Sequence, residues 1–151
     1  MKKRTANKKL KPYLLVFFQF STLGAIIFTG PILASGLVLS GIQILGIFLG
    51  LWSIYVMRIG NFNIIPEPLE NGVLRVNGPY KVIRHPMYSS IILFALPALI
   101  NHFTYWRLLI MILLLVSLYF KLTYEENRLI ESFNHYKEYM KRTNRIIPFV
   151  Y

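Results

Sequence analysis

The sequence predicts an all-α integral membrane protein. It has four transmembrane helices arranged as two hairpins, and the last helix extends into a cytoplasmic amphipathic C-terminal segment. Three observations lead there. Hydrophobic residues make up 55% of the 151 and charged residues only 15%, whereas a soluble domain is nearer 45–50% apolar and about 25% charged. The apolar residues gather into four blocks, 13–30, 32–57, 88–100 and 105–122. The basic residues, which give the chain its net charge of +11, avoid those blocks almost completely.

A helix needs about 20 mostly apolar residues to cross the hydrocarbon core. The second block exceeds that length, the first and fourth approach it, and the third must borrow from its flanks. The first block follows a basic stretch, as a signal peptide would. It is long for such a segment and a second apolar block follows at once, so a retained anchor is expected. Thr29-Gly30-Pro31 marks the break between the first two helices. In the second block Gly36, Gly41, Gly46 and Gly50 recur four or five residues apart, with Ser35 and Ser40. Small residues at such spacing let helix backbones approach closely in lipid.

Charge sets the orientation. Basic residues cluster before residue 13, between the second and third blocks, and from Lys121 onward; Arg107, in the turn between the third and fourth blocks, is the exception. Basic loops mark the cytoplasmic side, so both termini are expected there, in a multi-pass protein. The chain then reads as one membrane domain, 1–151. Its parts are a basic tail (1–12), a first hairpin (13–57), a cytoplasmic loop (58–87), a second hairpin (88–122) and a C-terminal helix and tail (123–151). Topology and anionic membrane lipid account for the positive charge without nucleic acid.

The 58–86 connection contains Pro66, Pro68, Gly72, Gly78 and Pro79, resists regular helix, and is long enough to expect a function. Asn71-Gly72 and Asn77-Gly78-Pro79 are turn signals around the short apolar run Val73-Leu74. Pro86 suits the first turn of the third helix. From Trp106 to Met140 there is neither Gly nor Pro, and Leu122, Leu129, Phe133, Tyr136 and Met140 recur at helical spacing. One unbroken helix is therefore expected, leaving the membrane near Thr123 and ending near Thr143.

Two charged clusters fall at the cytoplasmic ends of these helices, Arg84-His85 before the third and Glu125-Glu126 along the fourth. Both carboxylates flank the stripe through Leu129, and Lys121, one turn earlier, is placed to pair with Glu125. Acids beside an apolar stripe at the membrane edge are costly unless they serve a site. An ion pair of Arg84 or Lys121 with Glu125 that merely fastens the hairpin is the competing explanation, and the residues alone leave both open. Cysteine and Asp are absent, which removes thiolate nucleophiles and Cys-based metal sites. His102 and His135 read as surface residues, and His85 has no second ligand for zinc, so no metal is expected. No Walker loop or G-x-G-x-x-G is present. Tyr124, Phe133, Tyr136 and Tyr139 could line a pocket, although interfacial aromatics are the commoner reason for such residues.

The run from Gly78 to Tyr88, GPYKVIRHPMY, resembles the G-P-Y-x-x-x-R-H-P-x-Y signature of isoprenylcysteine carboxyl methyltransferases and related phospholipid methyltransferases. The tail is similar to theirs as well: Glu125-Glu126, then Leu129, Phe133, Tyr136, Tyr139 and Arg145-Ile146-Ile147-Pro148. The resemblance spans about 69–149. It implies S-adenosylmethionine as cofactor on the cytoplasmic face, held by Gly72, Val73, Leu74, Arg75, Tyr80, His85, Pro86, Met87, Tyr88, Glu125 and Glu126. It implies that Arg84 and Lys121 face the methyl acceptor, a lipophilic or lipid-anchored molecule such as a prenyl-cysteine carboxylate or a phospholipid. The family usually carries Arg where Lys121 stands, so a point charge replaces a bidentate fork. Methyl transfer asks the protein for alignment rather than for a covalent nucleophile or a metal. Two other readings share parts of the pattern: an NADPH-dependent membrane sterol-type reductase, and a non-catalytic scaffold in which the charges only fasten helices.

Overall fold

The computed structural model describes residues 2–57, 65–66 and 72–148, with 2–9 described by backbone alone. The remainder of the 58–71 connection, with Arg58, Pro68 and Asn71, lies outside the described residues. Among the described residues five α-helices follow in order: α1 (Lys2–Phe28), α2 (Leu37–Met57), α3 (Pro86–Asn101), α4 (Tyr105–Ser132) and α5 (Tyr136–Arg142). No strand occurs among the described residues; the nearest thing is a single parallel bridge between Ile83 and Asn144.

Among the described residues three helical stretches are long and apolar enough to cross a membrane, Leu10–Phe28, Leu37–Met57 and Tyr105–Ser132. The protein is therefore a membrane protein by composition as well as length. The fourth expected span, α3, has 16 residues, about 24 Å at 1.5 Å per residue, against a hydrocarbon core of about 30 Å.

Packing does not follow the two hairpins. α2 lies mainly on α3 and α1 mainly on α4, with lighter α1–α3 and α3–α4 contact. Small residues account for the first pair. A Cβ added at Gly46 would stand 3.0 Å from the Ser90 carbonyl oxygen and 3.1 Å from the Phe94 backbone nitrogen, and one at Gly50 would stand 3.0 Å from Ser90 Oγ. Gly41 faces open space and Gly36, at φ +89°, serves the turn before α2. The shared core is built by Ile26 of α1, Tyr88, Ala95, Ala98 and Leu99 of α3, and Ile110, Leu114, Leu118 and Leu122 of α4.

Turns close both ends of the bundle. At one end Gln43, fully buried in α2, accepts from the Ala34 amide at 2.6 Å and donates to the carbonyls of Ile32 and Phe94. Asn101 Oδ1 accepts from the Ser35 amide at 2.8 Å, which ties the 29–36 turn to the end of α3. Arg107 is not in a turn, as its sequence position suggested. It sits in the first turn of α4, 1% exposed, and folds inward to donate to the Ala98 carbonyl at 2.8 Å and to Thr29 Oγ1 at 3.4 Å. A cation there bonds a carbonyl near the C-terminus of α3, where the helix dipole favours positive charge. Gly30 leaves the room, since a Cβ on it would collide with the Arg107 guanidinium.

The unbroken helix expected from Trp106 to Met140 is two helices. α4 stops at Ser132, Phe133 takes an extended conformation (φ −127°, ψ 111°), and α5 starts at Tyr136. Neither Gly nor Pro causes the break. Turning the chain buries Tyr136, 1% exposed, and burial of a large aromatic outweighs the hydrogen bonds of one helical turn.

Candidate functional site

The segment between the connection and α3 is held in place from two sides. Gly78 adopts φ +57°, and Gly78–Lys81 form a short 3-10 turn that buries Pro79 and Tyr80. Beyond α5 the chain returns beside it: the Arg84 amide donates to the Asn144 carbonyl at 2.8 Å, the Asn144 amide to the Val82 carbonyl at 3.0 Å, and the His85 amide to the Arg145 carbonyl at 3.1 Å. Tyr139 Oη donates to the Tyr80 carbonyl at 2.6 Å, and Ser89 Oγ to the Ile146 carbonyl at 2.6 Å. The two sequence motifs are thus physically one wall.

Between this wall and α1 and α2 lies a cavity of about 310 Å³, within the range of small-molecule sites. Of the residues expected from sequence, Gly72, Val73, Leu74, Arg75, Tyr80, Arg84, His85, Pro86, Met87, Tyr88, Lys121 and Glu125 line it. Glu126 does not. It is 2% exposed and stands behind the wall, where Oε1 accepts from Arg84 Nε at 2.8 Å and Oε2 pairs with Arg145 Nη2 at 2.7 Å. Arg84 also donates through Nη1 to the carbonyls of Met140 and Thr143. Two of its three nitrogens are therefore committed to structure.

The adjacent acids have separate duties because adjacent helical residues diverge by about 100°. Glu125 turns to the cavity with its side chain 28% exposed, and its Oε2 accepts from Tyr88 Oη at 2.5 Å and lies 3.9 Å from His85 Nδ1. The His85 and Tyr88 rings stack at 5.3 Å. The fastening pair proposed from sequence, Arg84 or Lys121 with Glu125, is not formed: Arg84 takes Glu126. Lys121 Nζ instead crosses to α1 and donates to Gln19 Oε1 at 2.7 Å, lying 5.3 Å from the centre of the Tyr88 ring.

Burial pushes the phenols of Tyr80, Tyr136 and Tyr139 above their ordinary range. Nearby carboxylates add to this, Glu125 at Tyr80 and Glu126 with Glu125 at Tyr136, while Arg84 pulls Tyr136 and Tyr139 back. All three stay protonated donors across the physiological range. Sequence reasoning missed Gln19, Phe20 and Leu23 of α1, and Gly50, Ile54 and Met57 of α2, as lining residues. A lone amide in an apolar block was the one usable signal among them. Phe133, Tyr136 and Tyr139 do line the cavity; Tyr124 does not.

A family model for phospholipid methyltransferases matches residues 31–136, more than half of the chain. The chain belongs to the phospholipid methyltransferase family. The match bears out the resemblance seen in the two motifs, and it favours a membrane methyltransferase acting on lipid-like substrates over a reductase or a scaffold. No curated protein sequence matches the chain.

Proposed function

We propose that this phospholipid methyltransferase family member uses S-adenosylmethionine to methylate a lipophilic acceptor at the cytoplasmic face of the membrane. The observation that carries the reading is the convergence of both family-like motifs on one cavity, with Glu125 turned into it and held by Tyr88. The lining fits such a cofactor. Gly72–Arg75 bring backbone groups and the apolar Val73 and Leu74 side chains, suited to adenine. Glu125 brings a carboxylate suited to an ammonium or to ribose hydroxyls. Bound there, the cofactor supplies an electrophilic methyl group.

The chain's own residues do the rest by holding and excluding. Tyr88 fixes the Glu125 carboxylate, Pro86, Met87 and Leu129 keep water from the reacting atoms, and Lys121 faces the acceptor. Arg84 borders the same cavity, but its bonds to Glu126 and the tail assign it to keeping the wall in place. An acceptor with an apolar tail reaches Lys121 from the bilayer, because the opposite wall consists of α1 and α2 residues within apolar helices. The test is transfer of label from methyl-labelled S-adenosylmethionine by the purified protein in lipid nanodiscs. Label is expected in the lipid extract; label confined to water-soluble products rules out a membrane-borne acceptor.

We place four crossings in this reading, with both termini cytoplasmic. The 29–36 and 101–104 turns meet at one end of the bundle through Ser35 and Asn101, and the cavity and tail lie at the other. With single cysteines in this cysteine-free chain, an impermeant maleimide applied to intact cells is expected to label His102→Cys and spare Lys137→Cys. The reverse pattern inverts the orientation.

A further inference from the structure

A second cleft, of about 380 Å³, opens on the outer side of the wall that closes the main cavity. Residues of the 74–81 segment and of 135–143 line it, and none of α1 to α4 does. Half-buried Leu74 and Tyr139 form its floor. The same two side chains line the main cavity, so they are the partition between the two spaces. The volume is that of a small-molecule site. In the four-crossing orientation the cleft faces the cytosol, five residues along the chain from the start of α3 at Pro86.

Its charges are unbalanced. Lys81, at the end of the 3-10 turn, and Arg142, the last residue of α5, are both exposed and both line the cleft. Neither belongs to an ion pair among the described residues. Glu138 lines the cleft as well, but its carboxylate lies 3.8 Å from His135 Nδ1. Two cations therefore face the cleft against one carboxylate that already has a neighbour. Neither cation lines the main cavity, and neither is one of the residues that carry the two family-like motifs.

We infer that this cleft is a second binding site, for a phosphate monoester gripped by Lys81 and Arg142, and that its occupation strengthens cofactor binding on the other side of the partition. A monoester carries close to two negative charges at neutral pH, which matches two unpaired cations better than the single charge of a diester. The Arg142 fork suits two phosphate oxygens and Lys81 supplies a point charge. Leu74, Val76 and the Tyr139 ring offer apolar surface to the carbon skeleton. Lys81 and Arg142 belong to two elements that the Tyr139–Tyr80 bond already joins. A ligand bridging them tightens that joint, hence the partition, and such coupling runs in both directions. The coupling rests on the methyltransferase reading of the main cavity; the site itself does not.

The experiment measures Tm and S-adenosylmethionine affinity of the protein in phosphatidylcholine nanodiscs under four conditions: no addition, phosphatidic acid in the disc, phosphatidylglycerol in the disc, and glycerol 3-phosphate in solution. A monoester is expected to raise Tm and to tighten S-adenosylmethionine binding about fivefold, the low end of allosteric coupling. Phosphatidylglycerol, a diester, is expected to do less. A response to phosphatidic acid alone assigns the ligand to a lipid headgroup, and one to glycerol 3-phosphate alone assigns it to a soluble ester. Lys81→Met and Arg142→Met are each expected to remove most of the response, Arg142→Lys to keep part of it, and Glu138→Gln to enlarge it. Lys137→Met, which removes an exposed charge of α5 outside the cleft, is expected to leave it intact. Equal losses in Lys137→Met and Lys81→Met reduce the response to general attraction by a basic surface and overturn the inference. So does the absence of a response to both monoesters, or an equal response to phosphatidylglycerol and phosphatidic acid. A Tm response that depends on Lys81 and Arg142 in protein that does not bind S-adenosylmethionine leaves the site standing and removes the methyltransferase reading. S-adenosylmethionine binding that ignores the monoester while Tm responds overturns the coupling through Leu74 and Tyr139.

Discussion

Glu126→Ala is expected to destabilise the cavity end of the bundle by about 3–5 kcal/mol, the usual cost of removing one partner from a buried ion pair. The side chains of Glu126 and Arg84 are 3% and 7% exposed, so solvent does little to relieve the charge left behind. The same carboxylate also holds Arg145, hence the strand-like return of the tail beside Val82–His85. The substitution should therefore lower Tm in detergent and open the tail to trypsin at Arg142 and Arg145. Replacing both partners together, Arg84→Met with Glu126→Leu, is expected to recover part of the lost stability, because the deeply buried Arg84 charge goes with its partner and Arg145, which also loses Glu126, is 24% exposed and reaches solvent. If Glu126→Ala leaves Tm and the proteolysis rate unchanged, the Arg84–Glu126–Arg145 cluster is not what fastens the tail to α3 and α4.

That cluster also shows where a sequence is readable and where it is not. The Glu125-Glu126 pair and the Arg84-His85 pair were visible as charges out of place, and helical spacing brought both to one end. Spacing could not tell which acid faced which base, since the choice depends on a tail that returns about 60 residues after Arg84 and on a phenol that claims Glu125 first. The cavity lining in 72–88 was legible because turn residues and motif lie together in sequence. The α1 and α2 lining was not, because an apolar residue facing lipid and one facing a cavity look alike. Helix pairing failed for a related reason. Neighbours in sequence are usually neighbours in space, but Gly46 and Gly50 draw α2 onto α3, and the Gln19–Lys121 bond joins α1 to α4. The break at Phe133 had no local signal of the usual kind, being driven by the burial of Tyr136.

Glu125→Ala is expected to weaken S-adenosylmethionine binding by about 1.5–3 kcal/mol, roughly 10- to 150-fold, the worth of a hydrogen bond to a charged group in a sheltered site. Glu125 is the carboxylate that both lines the cavity and retains exposure, since Glu126 is withdrawn behind Arg84. Its Oε2 is occupied by Tyr88 Oη. Tyr88→Phe would leave the carboxylate in place and remove only its tether, so a smaller loss is expected there, with most of the effect in turnover because alignment suffers more than contact. Glu125→Gln should fall between Ala and the unaltered residue, keeping an acceptor oxygen and losing the charge. Glu125→Ala leaves Arg84 and Arg145 paired with Glu126 but removes the acceptor of the buried Tyr88 hydroxyl; the loss of Tm should be smaller than for Glu126→Ala, with the larger effect in the binding isotherm. Calorimetry in nanodiscs with S-adenosylmethionine, and with NADPH as the comparator, decides the matter. Undiminished affinity in Glu125→Ala removes this residue from the cofactor site. Heat from NADPH with none from S-adenosylmethionine removes the cofactor assignment, and with it the reason for a carboxylate turned into the cavity.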